Sequence, residues 1–310
     1  MIYFVIMRNL LGVVIKILGM VLLLILILTA PSLFVNHNGV KEINLRGPVI
    51  ALQDFFTEIT SDNFFEVKFG ETPRNLLNYI PGYFYASFLY LSAGSIASIL
   101  LGLVLGIIFG LRSSKIKQGI LVFLGAIPDF IMVLTLQLLS VFFYQRFHIR
   151  LGLINYAVSS GIMIMPFLTM LVVTLSFSTR ISSRYTIQTI SEEYIRYAKS
   201  KGLSRKRLII GHVLPSVIHS MRGSLLKIIS LSLGTLFIIE RMFNMPGLTR
   251  MLFQFGFSLD FSSYWGIYVY TANLRIAMTV VILLSSAIFI TYLTALLLLY
   301  IIRKAADYAI

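Results

Sequence analysis

Residues 191–215 read SEEYIRYAKSKGLSRKRLIIGHVLP, a polar and strongly basic island flanked by apolar stretches long enough to span a membrane. In a chain this apolar, it is where a soluble machine can be gripped. Ser191 offers an N-cap, with Glu192 and Glu193 in the first turn beside the partial positive end of a helix. Ile195, Ala198, Lys199 and Gly202 fall on one helical face, and Tyr194, Ala198 and Lys201 on the next. Gly202 is expected to close the helix in the left-handed conformation. Ser204 is expected to cap a second helix through Arg205, Lys206 and Arg207 to the apolar Leu208–Ile210. A short helix lying across a membrane surface, with the small residues Ala198 and Gly202 on its exposed side, fits a socket on another protein. Arg205–Arg207 also suit lipid headgroups. His212 and His219 lack ligand-spaced partners, so no metal site is expected.

Composition sets the class. The chain has 310 residues, 58% hydrophobic and only 12% charged, with a mean hydropathy of +0.89. Roughly a quarter charged is usual for a soluble globule, so an integral membrane protein is expected. The net charge of +14 lies mostly in short loops beside apolar spans, which argues against nucleic acid as a partner. Cysteine is absent, which excludes disulfides, thiolate metal sites and cysteine nucleophiles.

Crossing the hydrocarbon core takes about 20 apolar residues as a helix. Six stretches qualify, near 10–30, 83–111, 119–143, 156–178, 223–241 and 274–302. The first is read as a retained anchor, since the run from Val13 to Ala30 is long for a signal peptide and further spans follow. Six spans put both termini on one side. The stretch 179–222 carries nine Lys/Arg against Glu192 and Glu193, whereas 31–82 has four basic and six acidic residues. The positive-inside rule therefore predicts both termini in the cytoplasm, with 179–222 there too, although Arg146 and Arg150 run against the bias. The extracytoplasmic stretch 31–82 contains Pro48 followed by VIALQDFF, read as a short amphipathic helix capping the spans and ending at Thr60–Asn63. The chain is treated as a single domain, 1–310.

Few features interrupt the spans. Gly102, Gly106 and Gly110 recur every four residues, after Ser95 and Ser98, and make a flat stripe for close packing within the chain. Pro128 and Pro166 are expected to kink the third and fourth spans, as suits helices lining a pathway. Asp129 is expected inside the third span, needing a partner or a raised pKa. Lys227 is explained by snorkelling, and Glu240 with Arg241 as charges at interface level. No intramembrane series of acids and histidines appears, which argues against a proton-driven pump.

The stretch YIRYAKSKGLSRKRLIIGHVLP resembles the cytoplasmic EAA loop of permeases in the dipeptide, oligopeptide and nickel ABC importers, whose pattern reads YIRTARAKGLS before a downstream proline region. GTLFIIERMFNMPGLTRML, from Gly234 to Leu252, is similar to that family's Gly, Glu, Phe, Pro-Gly-Leu-Gly segment. The stretches FGETPRNLLNYIP, from Phe69, and GLVLGIIFGLRSSKIKQGILVFLGAIPDF match further family elements in order. Together the resemblance covers most of 65–255.

The resemblance implies an all-α membrane protein with six transmembrane helices and the type I importer permease fold, specifically the first-permease, B-type subunit. It implies a heterodimer with a second permease, two cytoplasmic ATPases where ATP and magnesium are bound, and an external substrate-binding protein, in a bacterial cell membrane. This chain would bind no cofactor itself and would not be an enzyme, as no Walker A loop is present. Tyr194, Ile195, Tyr197, Ala198, Gly202, Leu203 and Pro215 are the expected ATPase-coupling residues. Pro128, Asp129 and Glu240 are the expected pathway residues. Thr249 departs from the family's glycine and Asp129 from its small residue. The Gly-Asp-Pro after the first span and the Asp-Pro-Arg near the C-terminus are missing. The substrate stays open between peptides and nickel or a metal chelate. A secondary transporter would need inverted repeats, which are not visible, and a non-transporting scaffold would not bring down ATPases.

Overall fold

The computed structural model describes residues 33–37, 40–59, 65–69, 72–112, 114–148, 164–262, 267–272 and 274–308, together with part of 12–29. In chain order its helices are α1 (Gly47–Glu58), α2 (Ile80–Leu111), α3 (Lys115–Ala126), α4 (Asp129–Phe147), α5 (Ile164–Ser191) and α6 (Glu193–Ser200). After these come α7 (Arg205–Leu208), α8 (Leu214–Arg222), α9 (Leu225–Met242), α10 (Leu248–Met251) and α11 (Leu274–Tyr308). Two compact units divide the chain: Met1–Ser87 with Pro246–Ser286, and Phe88–Met245 with Ala287–Ile310.

Among the described residues the first unit holds three antiparallel two-stranded hairpins. They pair β1 (Phe34–His37) with β2 (Val40–Ile43), β3 (Glu66–Phe69) with β4 (Thr72–Asn75), and β5 (Phe257–Ser262) with β6 (Ile267–Ala272). The helical expectation describes the spans, and these hairpins between them were not foreseen. Helix α1 starts as expected, with Pro48 in its first turn, where a missing N–H has no intrahelical partner to lose. The expected turn at 60–63 lies outside the described residues. Asn75 accepts a hydrogen bond from the Leu77 N–H at 2.9 Å and caps a 3-10 turn at Leu76–Asn78, just before α2. The Leu248 N–H donates to Ser87 Oγ at 2.7 Å, which ties α10 to the early part of α2.

Among the described residues, four helices are long and apolar enough to cross a membrane: Leu76–Leu111, Asp129–Phe147, Ile164–Ser191 and Arg275–Tyr308. The pair Arg205–Arg222 and Leu225–Met242, bent by 60° at its break, is a fifth if it crosses as one span. About half of the expected span 10–30 lies outside the described residues, and those described in it are helical.

Two expected spans are corrected. The apolar run 119–143 is not one helix, because the chain breaks at Ile127-Pro128 and the membrane-length helix starts at Asp129. Proline cannot donate the hydrogen bond that would continue α3, and Pro128 adopts φ −59°, ψ 141° at the N-cap of α4, so it begins a helix where a kink was expected. The expected span 156–178 is described from Ile164 and runs on to Ser191. Pro166 therefore sits in the first described turn of α5, where it removes no hydrogen bond from the described helix.

The extension of α5 into the expected loop has a cause in its hydroxyl residues. Thr186 and Ser191 donate back to the carbonyls of Ser182 and Ile187 at 2.8 and 3.0 Å, so their side chains are satisfied inside a helix. The helix also packs its small residues against α2. A Cβ on Gly94 would meet Met170, Ser98 Oγ bonds Thr174 Oγ1, and Cβ atoms on Gly102, Gly106 and Gly110 would meet Ser178, Ser182 and Thr186. Every pair is 76 residues apart, so α2 and α5 run parallel and in register at four-residue steps. Small residues on both faces let the backbones approach closely, which is how helices associate without a hydrophobic gain. The glycine stripe thus packs inside the chain, as read from the sequence.

Helix α5 also meets α8, in part through the same Ser182. Ser182 Oγ donates to Met221 Sδ at 2.9 Å, and Thr189 Oγ1 lies 3.2 Å from Ser216 Oγ. Between α4 and α9, Thr235 bonds Asp129 and Gln137 donates to the Met242 carbonyl at 3.5 Å. The first of each pair advances with the second, so α4 and α9 run parallel. With α2 parallel to α5, the basic Arg112–Lys117 turn and the segment after Ser191 lie at one end of this unit.

Candidate functional site

The coupling stretch begins one residue later than expected. Ser191 closes α5 through its bond to Ile187, and Glu192 takes the N-cap of α6 without a side-chain cap bond. Within α6 only Ile195 and Ala198 are buried, at 3% and 7% exposure. Three residues apart, they form the inward stripe of a one-sided helix. Ala198 is therefore not on the outer face, which corrects the expectation of two exposed small residues. The outer face is aromatic and basic: Tyr194 and Tyr197 are 47% and 62% exposed, and Lys201 Nζ sits 4.5 Å from the Tyr197 ring centroid, a cation–π contact.

Gly202 closes α6 as expected, with φ +80° and its N–H donating to the Lys199 carbonyl at 3.1 Å. Only glycine takes that conformation without steric cost, and the space around its missing Cβ is open. Ser204 caps α7 by accepting from the Arg207 N–H at 3.4 Å. The chain then passes through a single π-helical turn, Ile209–Val213, before α8. The Tyr194 ring meets His212 of that turn edge-on at 6.4 Å, which fixes α6 against the entry to α8. Leu203 and Pro215 are half-buried, Pro215 in the first turn of α8. Of the seven expected coupling residues, Tyr194, Tyr197 and Gly202 reach the surface, while Ile195 and Ala198 hold the helix down.

The expected pathway residues are not brought to one point by any described contact. Pro128 is exposed at the break between α3 and α4. Asp129 is half-buried in the first turn of α4, where a carboxylate complements the helix dipole. Its Oδ2 accepts from Thr235 Oγ1 of α9 at 2.7 Å, so a hydroxyl supplies the partner that this carboxylate was expected to need. Glu240 is fully buried in α9 while Arg241 is exposed. A carboxylate buried in this way must be held by polar partners.

Sequence reading also missed what α5 contributes. Arg180 and Arg184, one turn apart on α5, were counted only as loop charge, yet they lie on a membrane-length helix. Their four-residue spacing, on the opposite face from the small residues Ser178, Ser182 and Thr186, was the available signal.

A bundle of apolar helices, parallel in pairs and carrying a short amphipathic helix at its basic end, defines a multi-pass membrane protein. The chain belongs to the family described as binding-protein-dependent transport system inner membrane components, which matches residues 98–307. It is similar to the dipeptide transport system permease protein DppB of Bacillus subtilis, 29% identical over 197 residues, 59% of each chain. The DppB of Lactococcus lactis is 29% identical over 164 residues, 49% of this chain and 51% of the relative. A putative peptide transport system permease protein of Brucella abortus is 26% identical over 120 residues, 39% of this chain and 38% of the relative. The chain thus spans between about two fifths and three fifths of the length of these relatives.

Proposed function

We propose that this chain is one of two permease subunits of an ABC importer for peptides, and that it forms half of the translocation pathway. The observation that carries the reading is the family membership over 98–307, joined to relatives whose names concern dipeptide or peptide transport. In this reading six helices cross a bacterial cell membrane with both termini in the cytoplasm. A sister permease, two ATPases and an external binding protein complete the machine. ATP and magnesium are bound by the ATPases and none by this chain.

Coupling is assigned to 191–215. Tyr194, Tyr197, Lys201 and Gly202 make the outer face offered to an ATPase, and Ile195 and Ala198 transmit its movement because they are buried against the chain's own helices. The bond between Ser204 and Arg207 and the edge-on contact of Tyr194 with His212 stiffen the elbow. A push on α6 is then passed to α8 and α9. The pairing surface is assigned to α4, in which only Val133 and Ser140 are buried while Phe130, Leu134, Leu138 and Phe142 are exposed. Asp129 positions the start of α4 against α9 through Thr235.

The test is uptake of radiolabelled dipeptides and of nickel by cells with and without this chain, its partner subunits being expressed in both. Loss of dipeptide uptake alone is expected. Loss of nickel uptake alone would favour the metal-chelate reading, which the breadth of the sequence resemblance keeps as second. Unchanged uptake of both would reject the transport assignment.

A further inference from the structure

A cavity of about 620 Å³ opens between α3, α5 and the junction of α8 with α9, all within the second compact unit. Three cations line it, Arg180 and Arg184 from α5 and Lys227 from α9, and no carboxylate does. No acid occurs anywhere in α3, α5 or α8. The rest of the lining is mixed, with Leu121, Val122, Phe177, Ile181 and Ile187 beside the polar Gln118, Ser183, Tyr185 and Ser224.

Position and geometry narrow the ligand. Arg180 and Arg184 lie in the second half of α5, Arg184 two turns before its end at Ser191. Lys227 is in the first turn of α9 and Gln118 in the first turn of α3. All three elements thus bring their polar groups to the end of this unit that carries the basic Arg112–Lys117 turn. Arg180 is braced, its guanidinium stacked 5.4 Å from the Phe177 ring centroid and lying 3.2 Å from where a Gly125 Cβ would be. Tyr185 and Ser224 place hydroxyls at the rim, 3.1 Å from each other. Outside the cavity α3 presents Ile116, Ile120 and Phe123, at 76%, 53% and 67% exposure.

We propose that this cavity binds the phosphate of an anionic phospholipid. Two guanidinium forks one helical turn apart suit the several oxygens of a phosphate, to which arginine binds bidentately. Lys227 adds a point charge, and the apolar part of the lining with the outer face of α3 accepts the acyl chains. Basic pockets between helices on the cytoplasmic side are known to hold acidic headgroups. The site does not depend on which molecule the chain transports.

The experiment titrates the full chain, purified in neutral detergent, with phosphatidylglycerol or phosphatidylcholine, and reads lipid retained by native mass spectrometry. Phosphatidylglycerol is expected to bind the tighter of the two. R184Q/K227Q is expected to weaken phosphatidylglycerol alone by about thirtyfold, two cations at about fivefold each. R184K/K227R, which keeps both charges, is expected to retain most of the binding and controls for folding, as does monodisperse elution of each variant. Equal retention of the two lipids by the wild type, or of phosphatidylglycerol by wild type and R184Q/K227Q, would overturn the proposal. Inorganic phosphate binding as tightly without lipid would give the site to a free anion and overturn it too. Loss of peptide uptake in R184Q/K227Q with lipid binding unchanged would assign the cations to transport and sink the lipid site.

Discussion

Gly106→Ala is expected to destabilise the protein although alanine is the better helix former. A Cβ at Gly106 would lie 2.9 Å from both the Ser183 nitrogen and the Thr179 carbonyl oxygen, and would overlap the Ser182 Cβ. The two backbone atoms are about 0.5 Å inside ordinary contact and cannot rotate away, so α2 and α5 must separate, a class of overpacking that costs about 1–3 kcal/mol. Alanine recovers about 0.5–1 kcal/mol of helix propensity, so steric overlap wins and a net loss of about 1 kcal/mol remains. Gly119→Ala is the control, since nothing lies within 4 Å of a Cβ there and propensity alone should act. The assay is thermal unfolding in detergent, followed by monodisperse elution after heating. Gly106→Ala should melt below wild type, Gly119→Ala at or above it, and Gly106→Leu should fail to accumulate. A Gly106→Ala protein as stable as Gly119→Ala would refute the close parallel packing of α2 on α5.

The same contacts set three further outcomes. Thr235→Val removes the hydroxyl that bonds Asp129 and should cost on the order of 1 kcal/mol of stability; Asp129→Ala combined with Thr235→Val should cost little more than Asp129→Ala alone, and additive losses in a double-mutant cycle would disprove the pairing. At Gly202, asparagine tolerates the left-handed conformation while valine does not, so Gly202→Asn should accumulate normally and Gly202→Val should lose about 1–2 kcal/mol. Gly202→Asp should lower transport-linked ATP hydrolysis at wild-type abundance, and normal hydrolysis would exclude Gly202 from the coupling surface. With no native cysteine, single cysteines at the exposed Asp54 and Ser204 test orientation: an impermeant maleimide should label Asp54→Cys and spare Ser204→Cys in intact cells, and the reverse would invert the topology.

Much of the fold was legible because apolar length and glycine spacing are local signals. The spans at 83–111, 223–241 and 274–302 correspond to α2, α9 and α11, and the left-handed turn at Gly202 and the Ser204 cap appear where the residue types demanded them. The partner of the glycine stripe was hidden for a physical reason. Ser178, Ser182 and Thr186 look like loop residues until their small size is used by α2 and, at Thr186, the hydroxyl is satisfied by the preceding turn. Reading 179–222 as a loop therefore concealed α5, and with it the two arginines of the basic cavity. Pro128 was legible as a break but not as a boundary, since a proline fixes its own φ without saying whether the helix resumes in line. Ala198 was misplaced because periodicity on an eight-residue helix leaves the inward side undecided, and burial of Ile195 settles it.

The claim that α6 hands ATPase movement to the spans is tested most directly by site-specific photo-crosslinking in membranes containing the whole importer. A photoreactive residue replacing the exposed Tyr197 should form an adduct with an ATPase subunit, and the yield should change on addition of ATP. The same residue replacing Asp54 should form none. No ATPase adduct from Tyr197, or an equal one from Asp54, would contradict the account.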